Sequence, residues 1–289
     1  MKNRSNVPAA SGVAYSPLGG FVEGKMGFRP LNEDHAIQSV KFSVLLTGGI
    51  AHGSILTIEQ NHNRWRDNLP ARTIADVEIE SNGRTGKAPG VIFAFVRPDG
   101  SPSWSLSVAA NRIDIECNLY SRWERVWHSA KEYFVKILEI LSTCQAELEI
   151  AGIELTVKDV FVVDRNAYSL DHLLNHSSRL PSYIFSAGQA WHANCGWFQD
   201  EEPPNRTLHH LNCDTAADQD LTFVNISHYQ QRSLMPSQKK SDEKPDKSAL
   251  LDRYMRELHL SNKQLLSDLL ADQMAERINL WAASNVHAR

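Results

Sequence analysis

The sequence predicts an α+β protein built of largely antiparallel β-meanders, each followed by a long helix. Three observations carry that expectation. Apolar residues between positions 37 and 118 recur mostly at period two, the spacing of side chains on one face of a strand. From Trp123 to Leu141 the spacing changes to three and four residues, the signature of one helix face. A second set of strand-like segments then precedes a second helical stripe that begins at Leu250. Strands then helix, twice over and in meander order, favour antiparallel pairing over a doubly wound parallel sheet. The same order fits a loose duplication into two similar halves.

Residues 1–30 mix Gly12, Gly19, Gly20, Gly24 and Gly27 with Pro8, Pro17 and Pro30 and show no sustained period. Such a segment buries too little apolar surface to offset its ordering entropy, so it reads as a disordered N-terminal arm. Ile37, Val40, Phe42, Val44 and Leu46 open the first β-rich half, residues 31–145, and Ile55 and Ile58 read as a second β-type segment. Ile74 to Glu80 alternates Val77 and Ile79 with Asp76, Glu78 and Glu80, as a half-solvated strand does. Val91–Val96 and Trp104–Val108 flank Arg97-Pro98-Asp99-Gly100-Ser101-Pro102, whose Pro and Asp-Gly supply hairpin dihedrals. Arg112–Asn118 adds another strand, and the helix over 122–143 follows, with Ser121 and Glu124 at capping-box spacing.

The second β-rich half, residues 146–235, contains strands at Ile153–Val163, Ala190–Phe198, Thr207–Cys213 and Leu221–Tyr229, and a short helix over Leu170–Asn175 capped by Ser169. Residues 236–248 are charged, Pro-broken and nearly free of apolar groups, a solvated linker. The C-terminal segment, 249–289, carries a Leu stripe with a break near Asp272.

The 289 residues carry 30 Lys and Arg against 34 acidic residues, which argues against a broad phosphate-binding surface, so nucleic acid is not favoured as a partner. The longest apolar runs fall far short of the roughly 18 residues a membrane-spanning helix needs. Residues 7–12 lack the apolar core of a secretory signal, so a cytoplasmic location is expected. Four cysteines are too few for a disulfide scaffold.

Three stretches resemble a sporadically distributed, uncharacterised bacterial family of proteins of similar length. They are Arg29-Pro30-Leu31-Asn32-Glu33-Asp34-His35-Ala36-Ile37, the step Tyr120-Ser121-Arg122-Trp123-Glu124 after the strand Arg112–Ile115, and Leu258-His259 through Leu270 with its Asn262-Lys263 pair. The match runs in order from about residue 29 to 280. That family brings no established activity or catalytic residues. Its patchy distribution implies mobile genetic neighbourhoods, in which defence and toxin-antitoxin components are common. The strand that follows the long helix in many members corresponds here only to Val160–Asn166, a departure that leaves any role of that strand open.

The sharpest chemical pattern is His192-x-x-Cys195 and His210-x-x-Cys213, with His209 as an alternative ligand. Two nitrogen and two sulfur donors suit tetrahedral Zn²⁺. Both pairs lie in strand-like segments, where residues three apart point to opposite faces, so the favoured reading is buried thiols and hydrogen-bonded imidazoles on a hairpin. Asp114 and Glu116 share a strand face with Arg112, and Asp76, Glu78 and Glu80 share another, as metal-binding carboxylates would or as any half-exposed strand does. Ser186-Ala187-Gly188 is no nucleophile elbow, and Gly83–Lys87 is a polar loop rather than a phosphate cradle. His35 and His259 read as hydrogen-bonded structural residues. Among the tryptophans, Trp123 and Trp127 fall on the helix core stripe and Trp191 and Trp197 on one sheet face, leaving Trp65 outside the expected core.

Without a coherent catalytic constellation, the leading expectation is a non-enzymatic cytoplasmic binding or regulatory protein, in a bacterial defence or toxin-antitoxin type locus, that needs no cofactor and acts through a protein partner. The alternative is a metal-dependent enzyme acting on nucleic acid or nucleotide, with zinc on His192, Cys195, His210 and Cys213 or a cation on Asp114 and Glu116. Self-assembly into a homo-oligomer is a third reading.

Overall fold

The computed structural model describes residues 27–81, 84–177, 179–200, 206–234 and 246–281. The expected arm, except for its last four residues, and most of the linker lie outside them, as do the turn at Gly83 and the side chains of Glu78 and Glu80. The strands are β1 (Arg29–Pro30), β2 (Ile37–Leu46), β3 (Ala71–Ser81), β4 (Arg84–Val96), β5 (Pro102–Ala109), β6 (Arg112–Cys117), β7 (Ile150–Asp164), β8 (His192–Asp200), β9 (Arg206–Asp218) and β10 (Leu221–Ser233). Among the described residues four α-helices accompany them, α1 (His52–Gln60), α2 (Trp123–Cys144), α3 (Lys247–Leu269) and α4 (Asp272–Arg277).

All ten strands belong to one antiparallel sheet in the order β3-β4-β5-β6-β2-β7-β10-β9-β8, with β1 against β7. This corrects the expected α+β arrangement. The fold is largely β, its helices are few, and they do not follow each meander. The reason is a pairing that local pattern does not encode: β2, from the first set of strands, lies along β7 from Ile37↔Asp159 to Leu46↔Ile150 and joins both sets into one sheet.

The helices cover one face. Val40, Phe42 and Val44 of β2, Ile153, Leu155 and Val157 of β7 and the stripe Val126, Trp127, Ala130, Phe134, Ile137 and Leu141 of α2 form one buried cluster. A second gathers Phe161 and Val163 of β7, Val224 and Ile226 of β10, and Leu265, Leu266 and Leu269 of α3. Each fully buried large side chain contributes roughly 1.5–3 kcal/mol, so these stripes, not helix propensity, hold α2 and α3 in place.

Most predicted elements are present, and the differences have physical causes. Ile55 and Ile58 lie on α1, where their three-residue spacing turns both into the core; on a strand they would have faced opposite ways. Ser121 does not cap α2, whose N-cap is Arg122 without a side-chain bond, and Ser169 makes no cap bond to the short 3-10 turn Leu170–His172. Arg84–Lys87 is strand rather than loop, paired with β3. Trp65, expected outside the core, is 2% exposed and meets Phe93 edge-on at 5.2 Å. The 97–102 turn is as expected: Gly100 has φ 85°, and Asp99 Oδ1 accepts from the Ser101 N–H and hydroxyl. α3 stops at Leu270, whose bridge to Leu174 and the Ala271 N–H bond to Leu173 O replace the helical ladder near Asp272.

Candidate functional site

Along the covered face of β7 the inward row reads Ile153, Leu155, Val157, Asp159, Phe161, Val163, one carboxyl in an otherwise apolar line. Its cross-strand neighbours are also apolar, Ile37 on β2 and Ile226 on β10, and the register of β2 slips by one residue at this point. Asp159 is 3% exposed and has neither a hydrogen bond nor an ion pair among the described residues. Burial alone pushes its carboxyl up from 3.8 to about 7. It therefore sits at the boundary between the two apolar clusters, where neither supplies a polar partner.

Half-buried rings and ionisable groups gather at this seam. Tyr120 meets the His35 ring edge-on at 5.2 Å, and its hydroxyl is raised by burial and by the charges of Asp159, Glu124 and Cys117. Trp123 lies flat against His259, with centroids 3.7 Å apart and planes within 4°. Burial and the neighbouring Lys263 drive His259 down to about 3, and burial also lowers His35, so both rings are neutral near pH 7. Lys263, itself lowered by burial against the opposing pull of Glu124, holds its ammonium 5.2 Å from the Trp281 ring. Asn32 closes the turn before β2 by donating to Ile37 O and contacting His35 Nδ1.

The three stretches that carry the family resemblance thus converge. Leu31 N–H bonds Val160 O and Val160 N–H bonds Ala36 O, which ties the first stretch to β7 beside Asp159. The second supplies Tyr120, Trp123 and Glu124, and the third His259 and Lys263. The sequence signal for Asp159 is a single acid interrupting Ile-x-Leu-x-Val-x-Asp-x-Phe-x-Val, an alternation that marks the strand and its inward row.

The proposed zinc ligands are not brought together. His192 pairs with Asp214 and His210 with Gly196, whereas Cys195 pairs with Leu211 and Cys213 with Ala193, so the imidazoles and the thiols occupy opposite faces of the sheet. His192 Nε2 meets Asn212 Oδ1 at 2.6 Å and His210 Nε2 meets Asn194 Oδ1 at 2.7 Å on the open face. Cys213 is buried on the covered face, and Cys195 Sγ donates to Arg179 O. His209 shares the cysteines' face, but no group of three His, Cys, Asp or Glu side chains converges as a metal site would among the described residues.

Asp114 is likewise engaged. On the face the helices leave open, Arg112 donates through Nε and Nη2 to both Asp114 oxygens at 2.8–3.0 Å, to Glu154 Oε2 at 2.8 Å and to Ser43 Oγ at 3.0 Å. Lys41 approaches Asp114 at 3.5 Å, and Tyr229 donates to Glu154 Oε1 at 2.8 Å. Burial opposes the guanidinium charge, yet the two carboxylates hold Arg112 above its ordinary value. A carboxylate so neutralised is a poor metal ligand, and Glu116 is left without a second acid directed at a common cation.

No family model matches the chain, and no curated protein does. Among solved structures it aligns with the di-domain ARO/CYC BexL from the BE-7585A biosynthetic pathway at 10% identity, over 87% of this chain and 99% of that one. The TM-score of that alignment is 0.16, which carries no argument about fold or function. No helix among the described residues is long and apolar enough to cross a membrane.

Proposed function

We propose that this chain is a non-enzymatic binding or regulatory protein of the cytoplasm, that it works within a bacterial defence or toxin-antitoxin type locus, and that its protein partner is taken at the seam around Asp159. The observation that supports this reading is the Asp159 carboxyl, on a residue 3% exposed and without a partner among the described residues, beside half-buried rings. A lone acid in an apolar row costs stability in the isolated chain, because a buried polar group without a bond loses its hydration and gains nothing in return. That cost is recovered when a partner supplies the missing donor, and the aromatic edges of Tyr120, Trp123 and His259 offer the rigid apolar contacts in which binding energy concentrates.

The test is affinity purification from a host that expresses the chain with its neighbouring genes, comparing wild type with Asp159→Asn and His259→Ala. The expected result is a stoichiometric protein retained by wild type and lost from both variants, while Asp159→Asn remains folded and gains stability. An identical partner set for all three proteins overturns the assignment to the seam.

A further inference from the structure

The last strand of the sheet has a free edge, and the backbone groups on that edge can be placed from the ladder on the other side. Among the described residues β8 pairs with β9 alone, in an unbroken antiparallel register from His192↔Asp214 to Asp200↔Arg206. One step before it the Thr215 N–H donates to Trp191 O at 3.2 Å, so Trp191 and Thr215 form a hydrogen-bonded pair. Such pairs alternate along an antiparallel ladder, which makes Ala193, Cys195, Trp197 and Gln199 the residues that bond β9. The N–H and C=O groups of His192, Asn194, Gly196 and Phe198 therefore point away from the sheet. The His192 carbonyl agrees with this placement, because the Tyr183 hydroxyl donates to it from outside at 2.6 Å.

The backbone groups of Asn194, Gly196 and Phe198 have no partner among the described residues. All three residues are exposed, Phe198 by 60%. Free edges are normally blunted by charged side chains, proline or a bulge. The opposite edge strand, β3, carries exposed Arg72 and Asp76, whereas β8 from His192 to Gln199 has no charged residue, no proline and no slip in its register. On the covered face beside this edge Cys195 and Trp197 are half-buried. The indole is held parallel to His209 at 5.0 Å and under the Arg179 guanidinium at 4.1 Å, so it is presented as a rigid group.

We propose that β8 pairs antiparallel with β8 of a second copy of this chain, about a two-fold axis at Gly196, and that the protein is a homodimer with one continuous sheet. The free stretch is its own complement. Asn194 meets the partner's Phe198, Gly196 meets the partner's Gly196, and each such pair exchanges two bonds, so every free group is satisfied by another free group. A register shifted by one residue about Cys195 would instead set Phe198 against the His192 carbonyl that Tyr183 already occupies. An edge without charge lets two identical strands meet without the repulsion that like charges directly opposite each other produce. At the intervening positions, where Cα atoms come within about 4.5 Å, each Cys195 thiol meets the partner's Trp197, a sulfur–aromatic contact that covers what each chain leaves half-open. The seam around Asp159 lies on β7, three strands away, and the two readings stand independently.

The experiment is sedimentation velocity of the full chain over a range of concentrations. Wild type is expected to sediment at twice the mass of one chain. Gly196→Pro removes one outward N–H from each copy and none from the β9 ladder, and a Cβ at this position comes no closer than 3.4 Å, to His209 O. The two carbonyls it strands are expected to weaken association by about 100-fold or more. A second pair of proteins separates lost pairing from misfolding, one carrying Asn194→Lys with Phe198→Lys and the other Asn194→Glu with Phe198→Glu. Each alone is expected to be a monomer, because the register sets like charges opposite each other at both ends, and a 1:1 mixture is expected to form a heterodimer. A wild-type monomer at every concentration, a dimer that survives Gly196→Pro, a charged variant that dimerises alone, or charged variants that do not associate on mixing would each overturn the proposal.

Discussion

Replacing Asp159 by Asn should make this protein more stable, and only where the native carboxyl is ionised. The wild-type carboxyl has a folded value of about 7 against 3.8 for the ordinary group, a difference of about three units. Below pH 4 it is protonated in both folded and unfolded chains, and the acid and the amide then leave one neutral polar group equally unpartnered. Between pH 4 and 7 the folded chain holds a proton the unfolded chain has released, so wild-type stability falls by about 1.4 kcal/mol per pH unit. Above pH 7 both states are ionised and the loss levels off at about 4 kcal/mol. Asn escapes that loss. Urea unfolding of the two proteins from pH 4 to 8 should give curves that meet near pH 4 and separate by up to about 4 kcal/mol at pH 8. At about 2 °C or more per kcal/mol for a chain of this size, the midpoint at pH 8 rises by roughly 8 °C. A difference that does not change with pH, or a wild type more stable at pH 8, would refute the placement of an unpartnered carboxyl at the seam.

Three further outcomes follow from other parts of the fold. Arg112→Met strands the buried Asp114 and Glu154, and urea unfolding at pH 7 should show a loss of about 3–5 kcal/mol, the usual cost of removing one partner from a buried ion pair. Gly90→Ala should cost about 1–3 kcal/mol, because its Cβ would come within 2.6 Å of the Val108 backbone oxygen, while Gly86→Ala, whose Cβ meets nothing within 4 Å, should leave the thermal midpoint nearly unchanged. His228 is lowered by burial from 6.5 to about 3, so its contribution is complete above pH 6.5 and is lost as the pH falls toward 3. His228→Gln should therefore flatten the acid limb of the stability curve by up to about 1.4 kcal/mol per pH unit; an unchanged slope between pH 6 and 4 would contradict a neutral buried ring.

The local elements follow from the amino-acid order alone, because their periodicities are short-range properties of the chain. The Trp123–Leu141 stripe specifies a helix, the alternation through Ile153 to Val163 a strand, and Pro98 with Asp99-Gly100 a hairpin turn. The same order places residues three apart on a strand on opposite faces, which is what separates His192 and His210 from Cys195 and Cys213. The fold class depends on long-range pairing, since the β2–β7 ladder joins residues more than a hundred positions apart and no local period records which strand edges meet. The same holds for the sites. Asp159 is one acid in a strand until Tyr120, Trp123 and His259 arrive from elsewhere in the chain. Gly196 is one glycine in a strand until the pairing with β9 turns its N–H and C=O to the free edge of the sheet. Burial and the pairing of polar groups depend on which distant segments are packed together, and that is settled by the summed burial of both core clusters, not by any single stretch of residues.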